Sequence, residues 1–172
     1  VTRYAGYISV RGGSASGNGG FVEVSGKEGL QLAGLVGHFD LSAPNGKGGQ
    51  LLLDPNVINI VAAGTTDGCL ASGTCDATGN VTLELIASDI EIFLNDVAGN
   101  NLTLMTSDDA GATNDNININ AALDTSNTHG NILTFDADDE ITGFGNLAGN
   151  NSTAVLKVAL TGTVSKTYDG AT

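Results

Sequence analysis

The stretch DNININAALDT, residues 115–125, decides how this chain reads. Asn and Ile alternate strictly, so Ile117 and Ile119 fall on one face of an extended segment and Asn116, Asn118 and Asn120 on the other. That is a half-buried β-strand whose polar face carries amides rather than charges. One such strand says little about a fold, so the question is whether the pattern recurs.

It recurs along most of the chain. Further short alternating runs are YISVRG (7–12), GFVEVSG (20–26), LQLAG (30–34), HFDLSA (38–43), GQLLLD (49–54) and NVINIVA (56–62). After them come NVTLELIA (80–87), DIEIFLND (89–96), NLTLMTS (101–107), NILTFDA (131–137), EITGF (140–144) and AVLKVAL (154–160). Gly, Asn, Asp or Ser punctuates most boundaries, as strand-and-turn architecture requires. No 11-residue window shows helical spacing, so 89–96 is expected to be a strand like its neighbours.

The strand phrases resemble one another. GNVTLEL (79–85) and NNLTLMT (100–106) match at an offset of about 21 residues, and GNILTFD (130–136) returns to the phrase roughly 30 residues later. ASDIEIF and NDNININ form a second similar pair. A period near 20 built from two or three short strands and turns is the pattern of a solenoid. The expected fold is all-β, a right-handed parallel β-helix with short strands and ~20-residue rungs. Inward Ile, Val and Leu would stack rung on rung, and outward Asn amides would hydrogen-bond along a ladder. A β-sandwich is the competing fold. Its hairpins favour two-residue Asn-Gly or Asp-Gly turns, and among such pairs those at 45–46, 67–68 and 169–170 do not link two clear strands tightly.

Composition agrees with short strands. Only 15% of the 172 residues are charged, against roughly 25% in ordinary domains. Gly, at 25 residues, has about twice its usual share of roughly 7%. Trp is absent and there is one Met. The net charge is −13, and the six basic residues are Arg3, Arg11, Lys27, Lys47, Lys157 and Lys166. Between Gly48 and Leu156 lie 15 Asp and Glu and no Lys or Arg, which excludes a phosphate backbone or an anionic membrane surface as partner. No run approaches the ~18 apolar residues of a membrane span. The chain starts at Val1 without Met, as a fragment or processed product would.

Cys69 and Cys75 lie close together in CLASGTC, with no further Cys or nearby His for a zinc site. They read as a disulfide pinning a loop in an oxidising compartment, the alternative being two reduced thiols.

Residues 18–60 carry a specific resemblance. GNGGFVEVSGKEGLQLAG followed by DLSAPNGKGGQLLLDPNVINI resembles a segment of large bacterial exoproteins of the filamentous haemagglutinin type, in order and spacing across the whole of that stretch. The later NLTL and INI phrases resemble their β-helical shaft more loosely, and VSKTYDGAT (164–172) resembles the opening of the YDG-type repeats that often follow. The resemblance implies a two-partner secretion exoprotein, exported through an outer-membrane transporter to the cell surface or medium and used in adhesion, aggregation or biofilm. It implies one β-helical segment over 1–160, with the 69–75 loop within it, and a tail or first YDG-type repeat over 161–172. The expected partner is a surface receptor or glycan of a host or neighbouring cell. The chain lacks a recognisable N-terminal secretion domain and so reads as a piece of a longer protein.

Catalytic signatures are missing. No GxSxG surrounds Ser14, Ser16, Ser25 or Ser72, neither Gly26-Lys27 nor Gly46-Lys47 completes a P-loop, and His38 and His129 stand alone. The chain is therefore read as non-catalytic and without a cofactor. Its carboxylates are the one group with ligand chemistry. Asp136, Asp138 and Glu140 would share a face if their segment were a strand, and Asp108, Asp109, Asn114 and Asp115 cluster in a loop. Such hard oxygen donors suit Ca²⁺, although neither stretch has EF-hand or calcium β-roll spacing, and solvated acidic turns are the plainer reading. Paired carboxylates acting on polysaccharide would want a cleft and stacking aromatics, and only Phe93, Phe135 and Phe144 are available in that half. Asn80, Asn101, Asn150 and Asn151 each open an N-x-S/T sequon and are candidate glycosylation sites. Two function classes thus stand beside the adhesive segment: a subunit of an extracellular filament stacked end to end through open β-helix ends, and a polysaccharide-acting β-helical enzyme.

Overall fold

A computed structural model describes residues 1–26, 29–62, 82–95, 99–107, 115–149 and 152–156. Among the described residues the protein is mostly strand, with one α-helix. The first half supplies β1 (Thr2–Tyr4), β2 (Ile8–Ser9), β3 (Phe21–Gly26), β4 (Leu30–Leu32), β5 (Phe39–Asp40), β6 (Gln50–Pro55) and β7 (Val57–Val61). The second half supplies β8 (Thr82–Ile86), α1 (Ala87–Asn95), β9 (Asn101–Met105), β10 (Asn116–Ile119) and β11 (Leu123–Asp124). It continues through β12 (Leu133–Ala137), β13 (Glu140–Thr142), a 3₁₀ turn (Phe144–Asn146), β14 (Leu147–Ala148) and β15 (Ser152–Leu156).

Every strand pair among the described residues is parallel. An antiparallel sandwich is thereby excluded. Parallel neighbours cannot be joined by a hairpin, so the chain must travel away and return before each strand is paired. The largest sheet has five strands in the order β15-β12-β9-β6-β3, the next four in the order β13-β10-β7-β8, and three small ladders join β1 to β4, β2 to β5 and β11 to β14.

Period two in the sequence becomes in-register stacking in space. Leu51 faces Leu102, which faces Leu133, and Leu53 faces Leu104, which faces Phe135. On the four-stranded sheet Ile58 faces Ile117, which faces Ile141. Leu51, Leu53, Leu102, Leu104, Leu133, Phe135, Ile58, Ile60, Ile117 and Ile119 are all fully shielded from solvent and belong to one continuous apolar core. Each such side chain contributes about 1.5–3 kcal/mol by burial, and β-branched residues suit the pleated surface. Ile132 is the exception to the alternation rule in its phrase. It points outward, 45% exposed, because the inward set of β12 begins one residue later at Leu133.

Two expectations need correction. On the five-stranded sheet Phe21 pairs Gln50, Gln50 pairs Asn101, Leu102 pairs Leu133 and Leu133 pairs Ser152. Only the last of these steps is close to the expected rung length, and the step from Gln50 to Asn101 is more than twice as long. The 100–106 and 130–136 phrases do lie side by side, but 82–85 of the first phrase pairs with β7 in the other sheet. The likeness of the first two phrases reflects strand composition rather than register.

The second correction is 89–96, expected as a strand and found as helix through Asn95. Both periods are present in this stretch. Ile90 and Ile92 alternate, while Ala87, Ile90, Phe93 and Leu94 follow helical spacing, and the second set is the one buried. Ile92 is left 51% exposed, and Asp89 sits in the first turn where the helix dipole favours it. The helix packs against β8 and β11.

Candidate functional site: outward ladders and the glycine–asparagine corner

The outward face of the four-stranded sheet carries the amides that the opening stretch singled out. Asn118 Nδ2 donates to Asn59 Oδ1 at 3.0 Å, and Thr142 Oγ1 donates to Asn118 Oδ1 at 2.9 Å. A polar ladder therefore runs across three strands at the strand spacing of about 4.8 Å. On the five-stranded sheet, Thr103, Thr134 and Thr153 stand in register on neighbouring strands. Gln50 Nε2 donates to Thr103 Oγ1 at 2.8 Å, and the Ser107 hydroxyl lies 2.7 and 2.6 Å from the two Asp54 carboxylate oxygens. Phe21 and Ile132 are exposed on the same face.

The corner leading into that sheet is built from Gly and Asn. Gly48 and Gly99 meet backbone to backbone, so a Cβ on either would overlap the other's Cα. Asn100 is 3% exposed, and its side chain accepts from Leu41 N–H and donates to the Phe93 carbonyl. Asn131, equally buried, accepts from Gly99 N–H at 3.0 Å and donates to the Leu94 carbonyl at 2.7 Å. These two amides satisfy the last carbonyls of α1, which have no partner within the helix, and tie them to the corner. Asn127 completes the turn before β12, with Oδ1 accepting from the N–H groups of His129 and Asn131. Asn100, Asn127 and Asn131 were not singled out as site residues from the sequence. The signal was present in the G-N and N-N pairs that precede each strand phrase.

Asn101 is the one sequon acceptor among the described residues. Its Nδ2 donates to the Gly49 carbonyl at 3.0 Å and its Oδ1 accepts from Ile132 N–H at 2.9 Å. The acceptor nitrogen is committed to the corner. Asn80, Asn150 and Asn151 lie outside the described residues, as do Cys69, Cys75, Asp108, Asp109 and Asn114.

Among the described residues, the carboxylates proposed as calcium donors at 136–140 do not share one face. Asp136 belongs to β12 on the five-stranded sheet, Glu140 opens β13 on the four-stranded one, and the bend between them carries Asp138. The i, i+2, i+4 face assumed a continuous strand, and the corner at 138–139 breaks it. Among the described residues no group of three or more His, Cys, Asp or Glu is placed to hold a metal. At this corner the Asp139 carboxylate serves the backbone. Asp115 N–H donates to Asp139 Oδ2 at 3.1 Å, Asp139 N–H donates to the Asp115 carbonyl, and the buried Thr106 hydroxyl donates to that same carbonyl at 2.7 Å. Asp136 Oδ1 is shut off from solvent without a hydrogen bond among the described residues.

One surface cluster is electrostatically organised. Asp40 Oδ1 accepts from the Ser42 hydroxyl at 2.7 Å and from Ser42 N–H, while Arg11 Nε and the Tyr7 hydroxyl both lie 3.4 Å from Oδ2. Partial burial acts to raise the Asp40 pKa, but the Ser42 hydrogen bonds, Arg11 and Tyr7 together outweigh it and leave it lowered. Asp124 is also lowered, by hydrogen bonds from Ser126. His38 Nδ1 is 2.7 Å from the Gly6 carbonyl, and the His129 side chain is exposed.

Among the described residues, no helix is long and apolar enough to cross a membrane. Known protein-family profiles, curated proteins and solved structures contain no match to the chain.

Proposed function

We propose that the chain is a non-catalytic β-helical segment of a secreted bacterial surface exoprotein of the filamentous haemagglutinin type. It extends the protein from the cell and takes part in adhesion, aggregation or biofilm. The observation that carries this reading is the register. Five passes of the chain present equivalent strands to one sheet, all parallel, with like residues stacked over like from Leu51 to Phe135. The reading joins the sheets into one right-handed coil, with each pass a turn. The long step from β6 to β9 is then a turn carrying an extra strand, β8, and a helix in place of its third side.

The outward surface suits such a role. Its ladders carry short polar side chains hydrogen-bonded to each other, Asn59–Asn118–Thr142 and Gln50–Thr103, beside the exposed Phe21 and Ile132. The sequence resemblance at 18–60 points to the same class.

The test has two parts. Small-angle X-ray scattering of the fragment should give an elongated particle with the cross-section of a single β-helix, and a compact particle would overturn the fold. In the parent exoprotein, deleting 1–160 should abolish aggregation or surface attachment. Replacing 1–160 with an unrelated β-helical stretch of equal length should restore reach but not attachment. Full restoration would reduce the segment to a spacer, and continuous fibres of the isolated fragment would favour the filament-subunit reading.

A further inference from the structure

The turn that precedes β6 contains Asn45-Gly46, and the corner that precedes β3 contains Asn18-Gly19. Asn followed by Gly is a chemically labile pair. With no side chain on the following residue, its backbone nitrogen can reach the Asn Cγ and close a five-membered ring. Both Asn residues are exposed, yet the fold treats them differently.

Gly19 N–H donates to the Lys47 carbonyl at 2.9 Å, across to a different pass of the chain, and Lys47 N–H in turn donates to Asn18 Oδ1 at 2.9 Å. Attack by Gly19 nitrogen would have to break that reciprocal link between two passes. Gly46 N–H donates to the Ala43 carbonyl, within its own turn, at 3.2 Å. Asn45 is held by a single side-chain bond, Nδ2 to the Ser14 carbonyl at 2.6 Å. The turn around Asn45 can therefore rearrange without breaking a backbone bond between passes.

We propose that Asn45 is a site of spontaneous covalent modification, deamidating through a succinimide while the fold protects Asn18. The Gly46 nitrogen forms a bond to Asn45 Cγ, the Cγ–Nδ2 bond breaks, and ammonia leaves carrying the amide proton. Water then adds to either ring carbonyl, giving aspartate or isoaspartate at position 45. Water is the only co-reactant. The product also alters the joint, because a carboxylate cannot donate to the Ser14 carbonyl. Conversion thus removes the side-chain tie between the 14–17 loop and the 43–47 turn, beside the bonds from Gly12 N–H to the Ser42 carbonyl and from Gly19 N–H to Lys47.

The whole chain is incubated at mildly alkaline pH, and peptides covering residues 18 and 45 are followed by mass spectrometry. An unfolded sample serves as reference. In the folded chain the residue-45 peptide should gain about 1 Da about tenfold faster than the residue-18 peptide, with both isomers present. In the unfolded sample the two rates should converge. Asn45→Gln should keep the donor and suppress the reaction. Asn45→Asp should speed hydrogen exchange at Gly12 and Gly19. Equal folded rates, earlier conversion at Asn18, or an Asn45 that stays intact while the unfolded chain converts would each overturn the proposal. Unchanged exchange in Asn45→Asp would overturn its structural half.

Discussion

Replacing Ile117 by Ala tests the core at the centre of the four-stranded sheet. Ile117 has no exposed surface and lies in register between Ile58 and Ile141. The substitution removes three carbons, worth about 2.4 kcal/mol at ~0.8 per methylene. Neighbours on both sides are held by their own ladders and can collapse only partly into the space, so a cavity adds to the loss. A total of about 3–4 kcal/mol follows, within the 2–5 found for such changes. Its partner is Asn118→Ala, one residue away on the opposite face. That change removes two side-chain bonds, to Asn59 and from Thr142, but the site is half-buried and water can replace part of them, so about 1 kcal/mol is expected. Equilibrium urea unfolding of the 172-residue chain measures both, read as a change of midpoint at constant slope. If Asn118→Ala costs as much as Ile117→Ala, or if Ile117→Ala costs under about 1 kcal/mol, the inward and outward assignment is wrong.

Gly48→Ala should destabilise by at least about 3 kcal/mol or prevent folding, because its Cβ would fall on the Gly99 backbone; a normal thermal melt for this variant would refute the corner. The lowered Asp40 pKa gives a stability contribution present above the ordinary carboxylate value and lost as pH falls through the folded value. Ser42→Ala should therefore make stability less dependent on pH between about 5 and 3, while an unchanged acid limb of the pH–stability curve would show that the Ser42 bonds do not set it. Asn101 should stay unmodified when the folded chain is exposed to a glycosyltransferase that recognises N-x-S/T, and a glycan found there by peptide mass mapping would mean that the Gly49 and Ile132 bonds open readily.

The parts of the fold legible in the sequence were those governed by one local rule. Ile117 and Ile119 inward, with Asn118 in a ladder, follow from period two alone. The helix at 87–95 was hidden because DIEIFLN satisfies both periods, and only the neighbouring sheet decides that Phe93 rather than Ile92 is buried. The spacing between paired strands was misread because matching phrases report which residues a strand needs, whereas register depends on how far the chain wanders before it returns. Among the candidate ligands, DADDE contains no Gly or Pro to announce the bend at 138–139, so its carboxylates looked collinear when they flank a corner. The amides at Asn100 and Asn131 were missed for the opposite reason. Their partners, Phe93, Leu94, Leu41 and Gly99, belong to other elements.

The parallel register also governs how the chain must fold. Strands of the five-stranded sheet meet partners far along the chain, Leu133 with Ser152 at the nearest and Gln50 with Asn101 at the farthest. No ladder among the described residues can nucleate as a hairpin, and this high contact order makes folding slow. Thermodynamically the longest excursion is cheap. The loop from Gln50 to Asn101 is nearly twice that from Phe21 to Gln50, yet its closure adds only about 0.5 kcal/mol of entropy. Growth from an existing edge is then far easier than starting anew. Once β3 and β6 are docked, β9, β12 and β15 each find a ready template in the strand before.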